Sequence, residues 1–578
     1  MIVLGLNGSG RPGDHDAAAC LLVDGRIVAF VEEERFERRK HAWHSPAHVS
    51  AAACLAIAGI GLDDVDVVAY GWDLPVKLAH QAASPPAGQA EALELLLPRT
   101  VFPRRRDPAV EFVRHHLAHA ASAYYLSAAP SGAILVLDGQ GERESISLAM
   151  GRGRDIAILE TWPVAASLGY FYEAACEFAG LGAVHSGKLM GLAAHGTARE
   201  GLLDICDGTD PTYRLRAGVG PQELEHDNTV VDSVEIQRRW LGYFAEVWPD
   251  PPNRWHHRFD PLAGRVVVEP ATDPFDFRDF AATVQQSLEA ASLRLVRELL
   301  RRVDGEVVCV AGGVGYNASL NGVLLRQIGD RPLFVQPVAG DAGVALGAAA
   351  YVVAQAGGEI EALGTDLGLG QCFSPDQIRA VLDRSGLGYA QPGDLTHRVA
   401  TLIAAGLVVG WFQGRSEVGP RALGHRSILA TPSSPALRDR INTQVKQREV
   451  WRPFAPSIPA GALSELVDTS APGLPYMVTT APIRLAWAQR LAGVNHVDGT
   501  TRPQSVVAAA DPLYAALLND VAVLTGIPAV LNTSFNGRGE PLVETPAQAL
   551  TAFALNGLDA LAIGPYLLTA ASGRRTPE

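Results

Sequence analysis

Lysine is nearly missing from this chain. Of its 48 basic residues only four are lysines: Lys40, Lys77, Lys188 and Lys446. Arginine is a planar fork and lysine a compact point charge on a flexible stem, so a lysine kept against such a background marks a place where the fork fails. Lys188 and Lys446 fall in motifs described below; Lys40 and Lys77 read as chance. Cysteine is also sparse. Cys20, Cys54, Cys176, Cys206, Cys309 and Cys372 are scattered and form no CxxC pair, which argues against a disulfide framework or a zinc knuckle and predicts buried thiols in a reducing compartment. No apolar run reaches the roughly 18 residues that cross a bilayer. Met1–Gly10 lacks a charged segment followed by an apolar one, so a cytoplasmic protein with no membrane partner is expected. A net charge of −14 repels nucleic acid, so no nucleic-acid partner is expected either.

What remains is a globular chain of 578 residues, 48% hydrophobic, too long for one ordinary core. Its first 34 residues read as strand, Gly-rich loop, strand, Asp24-Gly25 turn and strand, the turn between apolar runs being a hairpin signal. Residues 133–150 repeat the plan, with an acidic loop Asp138–Glu144 between two strands. Two such units, each followed by helical sequence, predict a duplicated α/β domain over residues 1–360. Within it, residues 200–275 are rich in Pro, Trp and charge. They read as an insertion, either a lid or acceptor-binding region or a surface excursion. A second α/β domain is expected over 372–578, opening at Ser374-Pro375 with a serine N-cap.

Two clusters carry chemistry. His115 and His119 lie four apart in a helical stretch and so share a face. With Asp138 at a strand end and Asp341 in a later Gly-rich loop, they can hold a first-row divalent metal. His116 points elsewhere. Gly-rich turns at Gly139-Gln140-Gly141, Ser186-Gly187-Lys188, Gly312-Gly313 with Asn317, and Gly340–Gly343 suit phosphate binding by backbone amides, and together they suggest a nucleotide. His15, between Asp14 and Asp16, is a candidate general base. The second cluster is basic: residues 411–460 hold Arg415, Arg421, Arg426, Arg438, Arg440, Lys446, Arg448 and Arg452 against Glu417, Asp439 and Glu449. Arg502 follows, and the polar run from Asn532 through Ser534 could meet a substrate amide. Such a patch in an acidic chain suits a polyanionic small ligand.

Gly13–Ala18, His115–Ala121, Ser186–Ala193, Gly340–Gly347, Gly414–Leu429, Lys446–Pro456, Asp498–Gln504 and Asn532–Val543 occur in order. Together they resemble the O-carbamoyltransferases of antibiotic tailoring and nodulation-factor decoration. The resemblance covers Met1 to about Leu568, and it implies an actin/sugar-kinase-like duplicated domain followed by a YrdC-like one. It implies that carbamoyl phosphate and ATP, with Mg2+, give carbamoyl-adenylate. The carbamoyl group then passes to a hydroxyl-bearing small-molecule acceptor. On that resemblance His115, His119, Asp138 and Asp341 hold an iron(II)-type metal, and His15 is the base on the acceptor. Arg415, Glu417, Arg421, Arg426, Lys446, Arg448, Arg452, Arg502, Asn532 and Ser534 form the phosphate and carbamoyl pocket, with Lys446, Arg421 and Arg502 catalytic. The assembly is open, a homodimer included. A tRNA-modifying enzyme and an actin-like ATP switch are the rival readings.

Overall fold

The computed structural model describes residues 1–11, 13–80, 83–206, 233–250, 252–260 and 265–570. They form two compact units that interleave in sequence: Met1–Gly71, Pro86–Val113 and Asp341–Glu578 in one, Trp72–Pro85 and Arg114–Gly340 in the other. The first unit therefore holds the amino-terminal lobe together with everything beyond residue 360, and the expected boundary at 360–372 falls inside it.

The fold is α/β, and the duplication is explicit in its topology. The first sheet joins β1 (Ile2–Asn7), β2 (Ala18–Val23), β3 (Arg26–Glu32), β4 (Val67–Tyr70) and β5 (Ala109–Phe112) in the order β3-β2-β1-β4-β5. Strands β1 to β3 are antiparallel neighbours; β4 and β5 add in parallel. The second unit repeats this with β6 (Ser131–Leu137), β7 (Glu144–Arg152), β8 (Asp155–Pro163), β9 (Val307–Ala311) and β10 (Leu333–Val335), in the order β10-β9-β6-β7-β8. Here too the first three strands pair antiparallel and the last two in parallel. The second sheet thus repeats the strand pattern of the first.

Each lobe places a loop after its first strand, and there the candidate residues sit: His15 after β1 and Asp138 after β6. The helix Ala342–Gln355 packs on β1, and its near-continuous apolar sequence matches burial on almost every side. Its backbone crosses the strand at Gly5, where a Cβ would meet Ala345 O at 1.9 Å.

The carboxy-terminal part of the first unit carries a seven-stranded mixed sheet that contains Val409–Phe412, Arg426–Ala430, Ala455–Pro459 and Val530–Ser534. The helix Pro375–Ser385 opens it on a capping box between Ser374 and Gln377, as the serine–proline pair predicts. Within the expected insertion, the helix Ser233–Val247 is no surface excursion. It buries Ile236, Trp240 and Phe244, and Trp240 and Phe244 pack on Phe171 of the helix Leu168–Phe178. Residues 207–232 of that insertion lie outside the described residues. Among the described residues no helix is long and apolar enough to cross a membrane.

Candidate active site

The helix His115–Tyr124 begins where β5 has ended, and its first residue is locked in place. Glu142 accepts the His115 backbone N–H at 2.9 Å, and the Trp72 ring stacks on the imidazole at 3.7 Å. One helical turn later His119 faces the same side, and the two Nε2 atoms stand 3.1 Å apart. Asp138 Oδ2 lies 3.3 Å from His115 Nε2 and 3.7 Å from His119 Nε2. Its other oxygen accepts the Gly313 N–H at 2.8 Å. All three residues are buried, and their ligand atoms lie within 4.8 Å of one another. Burial alone would raise the Asp138 carboxyl, but the hydrogen bonds and charges of the two histidines outweigh it and hold it well below the ordinary range.

This donor set fits a metal ion. Ligands at roughly 2.0–2.2 Å from one first-row ion stand about 3–3.5 Å from each other, close to the spacings here. Two imidazole nitrogens and a carboxylate oxygen facing one point have few protons to share and suit a cation. His116 is different: its Nδ1 pairs with Ser147 Oγ at 2.7 Å, and burial keeps its ring neutral. Asp341, in the first unit, precedes the helix Ala342–Gln355 as its N-cap residue.

Some of the Gly-rich turns do other work than the sequence suggests. The Gly313 N–H is spent on Asp138. Gly312, at φ +88°, lets the chain pass Leu137 O, which a Cβ would meet at 2.2 Å. Asn317 caps the helix Ala318–Gln327 and pairs its amide with Gln285, so it is engaged by the fold rather than by a nucleotide. Gln140 accepts from Tyr170 at 2.8 Å, while the Gly141 N–H is taken by Glu144 O and the Gly139 backbone packs against Gly169. Ser186, Gly187 and Lys188 form the first turn of the helix Ser186–Ala193, with Gly187 exposed and open space where its side chain would be.

His15 lies in the first unit. Its Nδ1 pairs with Asp16 Oδ2 at 3.0 Å, its Nε2 is 3.9 Å from Asp341 Oδ2, and the Trp43 ring lies 4.9 Å away. Asp16 holds a second histidine with its other oxygen, His41 Nδ1 at 2.8 Å. Burial opposes ionisation of Asp16, but His41 and His15 bring its carboxyl down to about 2. Asp16 thus fixes one imidazole nitrogen of His15, while the other stands toward Asp341.

The basic stretch sorts into two kinds of arginine. Arg426 is wholly buried, donates to the carbonyls of Gln413, His425, Gln371 and Gly414, and lies over the Phe412 ring. Arg415 donates to the carbonyls of Gly370, Val28 and Leu369. Both guanidinium groups are consumed by backbone acceptors, so these two leave the expected phosphate pocket. Glu417 accepts the amides of Leu423, His425 and Arg426 on one oxygen and shapes that loop.

Lys446, Arg448, Arg452, Arg502 and Arg421 are the other kind. A five-residue π-helical turn, Ile441–Val445, delivers Lys446, and Gln447 after it sits at φ +45°. Such turns and left-handed residues concentrate at functional sites. Lys446 Nζ bonds Ser534 O at 2.8 Å, Ser534 Oγ at 3.2 Å and both oxygens of Asn536. Asn442 clamps the following loop through the carbonyls of Val450 and Arg452, and its Oδ1 receives Arg448 Nε at 2.7 Å. Burial first, then mutual repulsion, lowers the pKa of Lys446, Arg448 and Arg502. Arg452 pairs with Glu449 at 3.7 Å. Asn532 donates to Ala422 O and Ser457 Oγ, at 3.0 Å each, beside the same strand end. Sequence reasoning missed His425, which pairs with Asp366 at 2.7 Å, a bond that raises its pKa against the effect of burial, and it missed Trp72, Glu142 and His41.

Comparisons with known proteins agree with this layout. The family description "Carbamoyltransferase N-terminus" matches residues 11–350 and "Carbamoyltransferase C-terminus" matches residues 400–570. Nodulation protein NolNO of Sinorhizobium fredii is 35% identical over 96% of this chain and 79% of its own length. Nodulation protein NolO of Bradyrhizobium diazoefficiens is 35% identical over 79% of this chain and 78% of its own. Among solved structures, component A of the Acidaminococcus fermentans (R)-2-hydroxyglutaryl-CoA dehydratase covers 61% of this chain and 99% of its own at 14% identity and a TM-score of 0.33. Full-length HypF in its phosphate- and nucleotide-bound form covers 61% and 55% at 12% identity and a TM-score of 0.28. The chain belongs to the carbamoyltransferase family, as an O-carbamoyltransferase.

Proposed function

We propose that the chain builds carbamoyl-adenylate from carbamoyl phosphate and ATP and passes the carbamoyl group to a hydroxyl of a small molecule. The observation that carries this reading is the cationic pocket around Lys446. Five basic side chains converge there, and burial first, then repulsion among them, lowers the pKa of three. That arrangement is complementary to two anionic substrates meeting. In the first half-reaction, carbamoyl phosphate is hydrolysed to carbamate and phosphate. The carbamate oxygen attacks the α-phosphorus of ATP and pyrophosphate leaves. In the second, the acceptor oxygen attacks the carbamoyl carbon, AMP leaves, and His15 Nε2 takes the hydroxyl proton while Asp16 holds its Nδ1.

Lys446, Arg448, Arg452, Arg502 and Arg421 hold the phosphates, with Ser534 and Asn532 at the carbamoyl end and the turn Ser186–Lys188 toward the nucleotide of the transfer step. His115, His119 and Asp138 hold a divalent metal of iron(II) type, to which the family resemblance adds Asp341. Bound there, the metal would supply a Lewis acid. Mg2+ accompanies ATP. Residues 1–360 carry transfer and residues 372–578 carry adenylate formation.

The test separates the halves. His15→Ala keeps carbamoyl-phosphate-dependent pyrophosphate release and loses product on the order of 10²–10⁴-fold. Pyrophosphate and carbamoylated product are counted in one reaction, the latter by mass gain. Pyrophosphate release that ignores carbamoyl phosphate overturns the reading.

A further inference from the structure

The loop that carries Arg421 is gripped by an ion pair from the amino-terminal lobe. The chain leaves β3 through three consecutive acids, Glu32, Glu33 and Glu34, and Arg35 follows them. Each acid has its own backbone partner. Glu33 accepts the Val49 and Ser50 N–H groups, at 3.0 and 2.7 Å, in the first turn of the helix His48–Ala58. Glu34 accepts the His41 N–H at 2.9 Å. Glu32 turns to the carboxy-terminal part of the same unit, where its Oε2 accepts the Gly419 N–H at 3.0 Å. Arg35 Nη2 completes the grip: it donates to Glu32 Oε2 at 2.5 Å and to Gly419 O at 2.7 Å. Arg35 and Gly419 are buried, and Glu32 nearly so.

Gly419 is the residue at which this loop has its freedom. It sits at φ +92°, in the left-handed region that favours glycine, and the ring of the next residue, Pro420, fixes its own φ. With its N–H and its carbonyl both held, Gly419 loses the rotations that it alone could make. Arg421 follows directly, so the direction in which its side chain leaves the backbone is set two residues upstream. Beyond Arg421 the loop is tied within the carboxy-terminal part. Asn532 donates to Ala422 O at 3.0 Å, Gln504 donates to Leu423 O at 2.7 Å, and Glu417 accepts the Leu423 N–H at 2.8 Å. Arg421 thus stands between two braces, and the amino-terminal one comes from residues more than 380 positions away. A buried ion pair is by itself weak evidence of a stabilising device. Here both partners are aimed at one glycine, beside a residue of the cationic pocket.

We propose that Glu32 and Arg35 are positioning residues for adenylate formation: they hold both polar groups of Gly419 and so fix where the Arg421 guanidinium meets the anionic substrates. Glu34, on the same turn, braces His41, which shares Asp16 with His15. One acidic turn therefore serves both the loop of the activating pocket and the transfer base. The proposal rests on the reading of Arg421 as a phosphate-binding residue.

The test is a double-mutant cycle on the full chain, read by carbamoyl-phosphate-dependent pyrophosphate release. Arg35→Met keeps the aliphatic stem, frees Gly419 O and leaves Glu32 without its cation. Misplacing a reacting group by about 1 Å costs on the order of 10²-fold, so Arg35→Met should lower kcat by roughly 10- to 100-fold and change either KM by less than about threefold. In an Arg421→Ala background the same change should cost less than about twofold, because the side chain it directs is gone. Glu32→Gln keeps the shape and an acceptor for the Gly419 N–H, and it is the variant to use if Arg35→Met does not fold. Its loss should be roughly 3- to 10-fold and should likewise vanish in the Arg421→Ala background. Arg379→Ala, at a surface ion pair with Asp376, is the control. Normal pyrophosphate release by Arg421→Ala would end the reading of Arg421, and the proposal with it. If Arg421→Ala is slow while Arg35→Met and Glu32→Gln keep the normal rate, only the role of the pair fails. The same fold-loss in both backgrounds also overturns the proposal, in favour of a general structural role.

Discussion

The imidazole–carboxylate cluster and the cationic pocket are built on opposite principles. In the cluster, attraction assembles the site. His115, His119 and Asp138 bond one another, and Glu142, Gly313 and Trp72 brace them. In the pocket, like charges are forced together, and the fold supplies the energy through unrelated contacts such as Asn442 on the Val450 and Arg452 carbonyls. A site assembled by attraction keeps its shape without ligand. A site assembled against repulsion stores a preference for an anion and should gain stability when one binds.

The sharpest break in this comparison lies between two arginines of the basic group. Arg426→Ala strands buried carbonyls and should cost about 3–5 kcal/mol, enough to lower the yield of folded protein. Among the described residues Arg502 forms no hydrogen bond and its buried Nε meets no partner, while Arg421, Arg448 and Arg452 repel it. Arg502→Ala should leave the unfolding temperature unchanged or raised, yet slow pyrophosphate release on the order of 10²–10³-fold. Thermal unfolding and turnover measured on both variants decide it. An Arg502→Ala protein as unstable as Arg426→Ala would erase the distinction.

The metal cluster gives the next largest effect. His119→Ala should remove the bound divalent metal, and His116→Ala should keep it, because His116 is turned to Ser147. Trp72→Leu, which loses only the face stacked on His115, should lower metal affinity about 10-fold, in the range of outer supports of metal ligands. Elemental analysis and competition with a chelating dye read all three. Equal metal in the His119 and His116 variants would end the assignment.

How far the sequence reaches follows the same division. The strands of both lobes, the Ser374 cap and the His115/His119 pair are written in local signals: alternation, a serine before proline, a spacing of four. They were legible because each is settled within a few residues. The pocket is settled by partners far away. Arg415 meets Val28 across 387 residues, and Arg426 meets Gln371 across 55. A count of arginines therefore shows that a basic stretch exists and cannot show which side chains the backbone has already claimed. Gly313 and Asn317 were read as nucleotide contacts because glycine turns look alike before their acceptors are known.

Lys446 refines the point. Its ammonium spreads donors over Ser534 and Asn536, a compact arrangement that a planar fork cannot reproduce. Lys446→Arg should thus lose pyrophosphate release nearly as fully as Lys446→Ala, and near-normal turnover in the arginine variant would show that charge alone suffices.

The smallest effect belongs to the Asp16 bridge, where attraction operates beside the pocket. Asp16 titrates at about 2 in the folded chain, below the ordinary carboxylate value, so its contribution is present above about pH 4 and is lost as pH falls through 2. Its partner His41 is shifted the other way, raised chiefly by the Asp16 charge. That share is complete below the unfolded histidine value near 6.5 and is lost as pH rises through the higher folded value. The two limits leave a window between about pH 4 and 6.5 in which the bridge is fully charged. Asp16→Asn should therefore lower the unfolding temperature by a few degrees inside that window, an effect of about 2 kcal/mol, and by less on either side. A difference that stays constant from pH 3 to pH 8 would mean that Asp16 acts through packing, and the charge bridge that orients His15 would have to be given up.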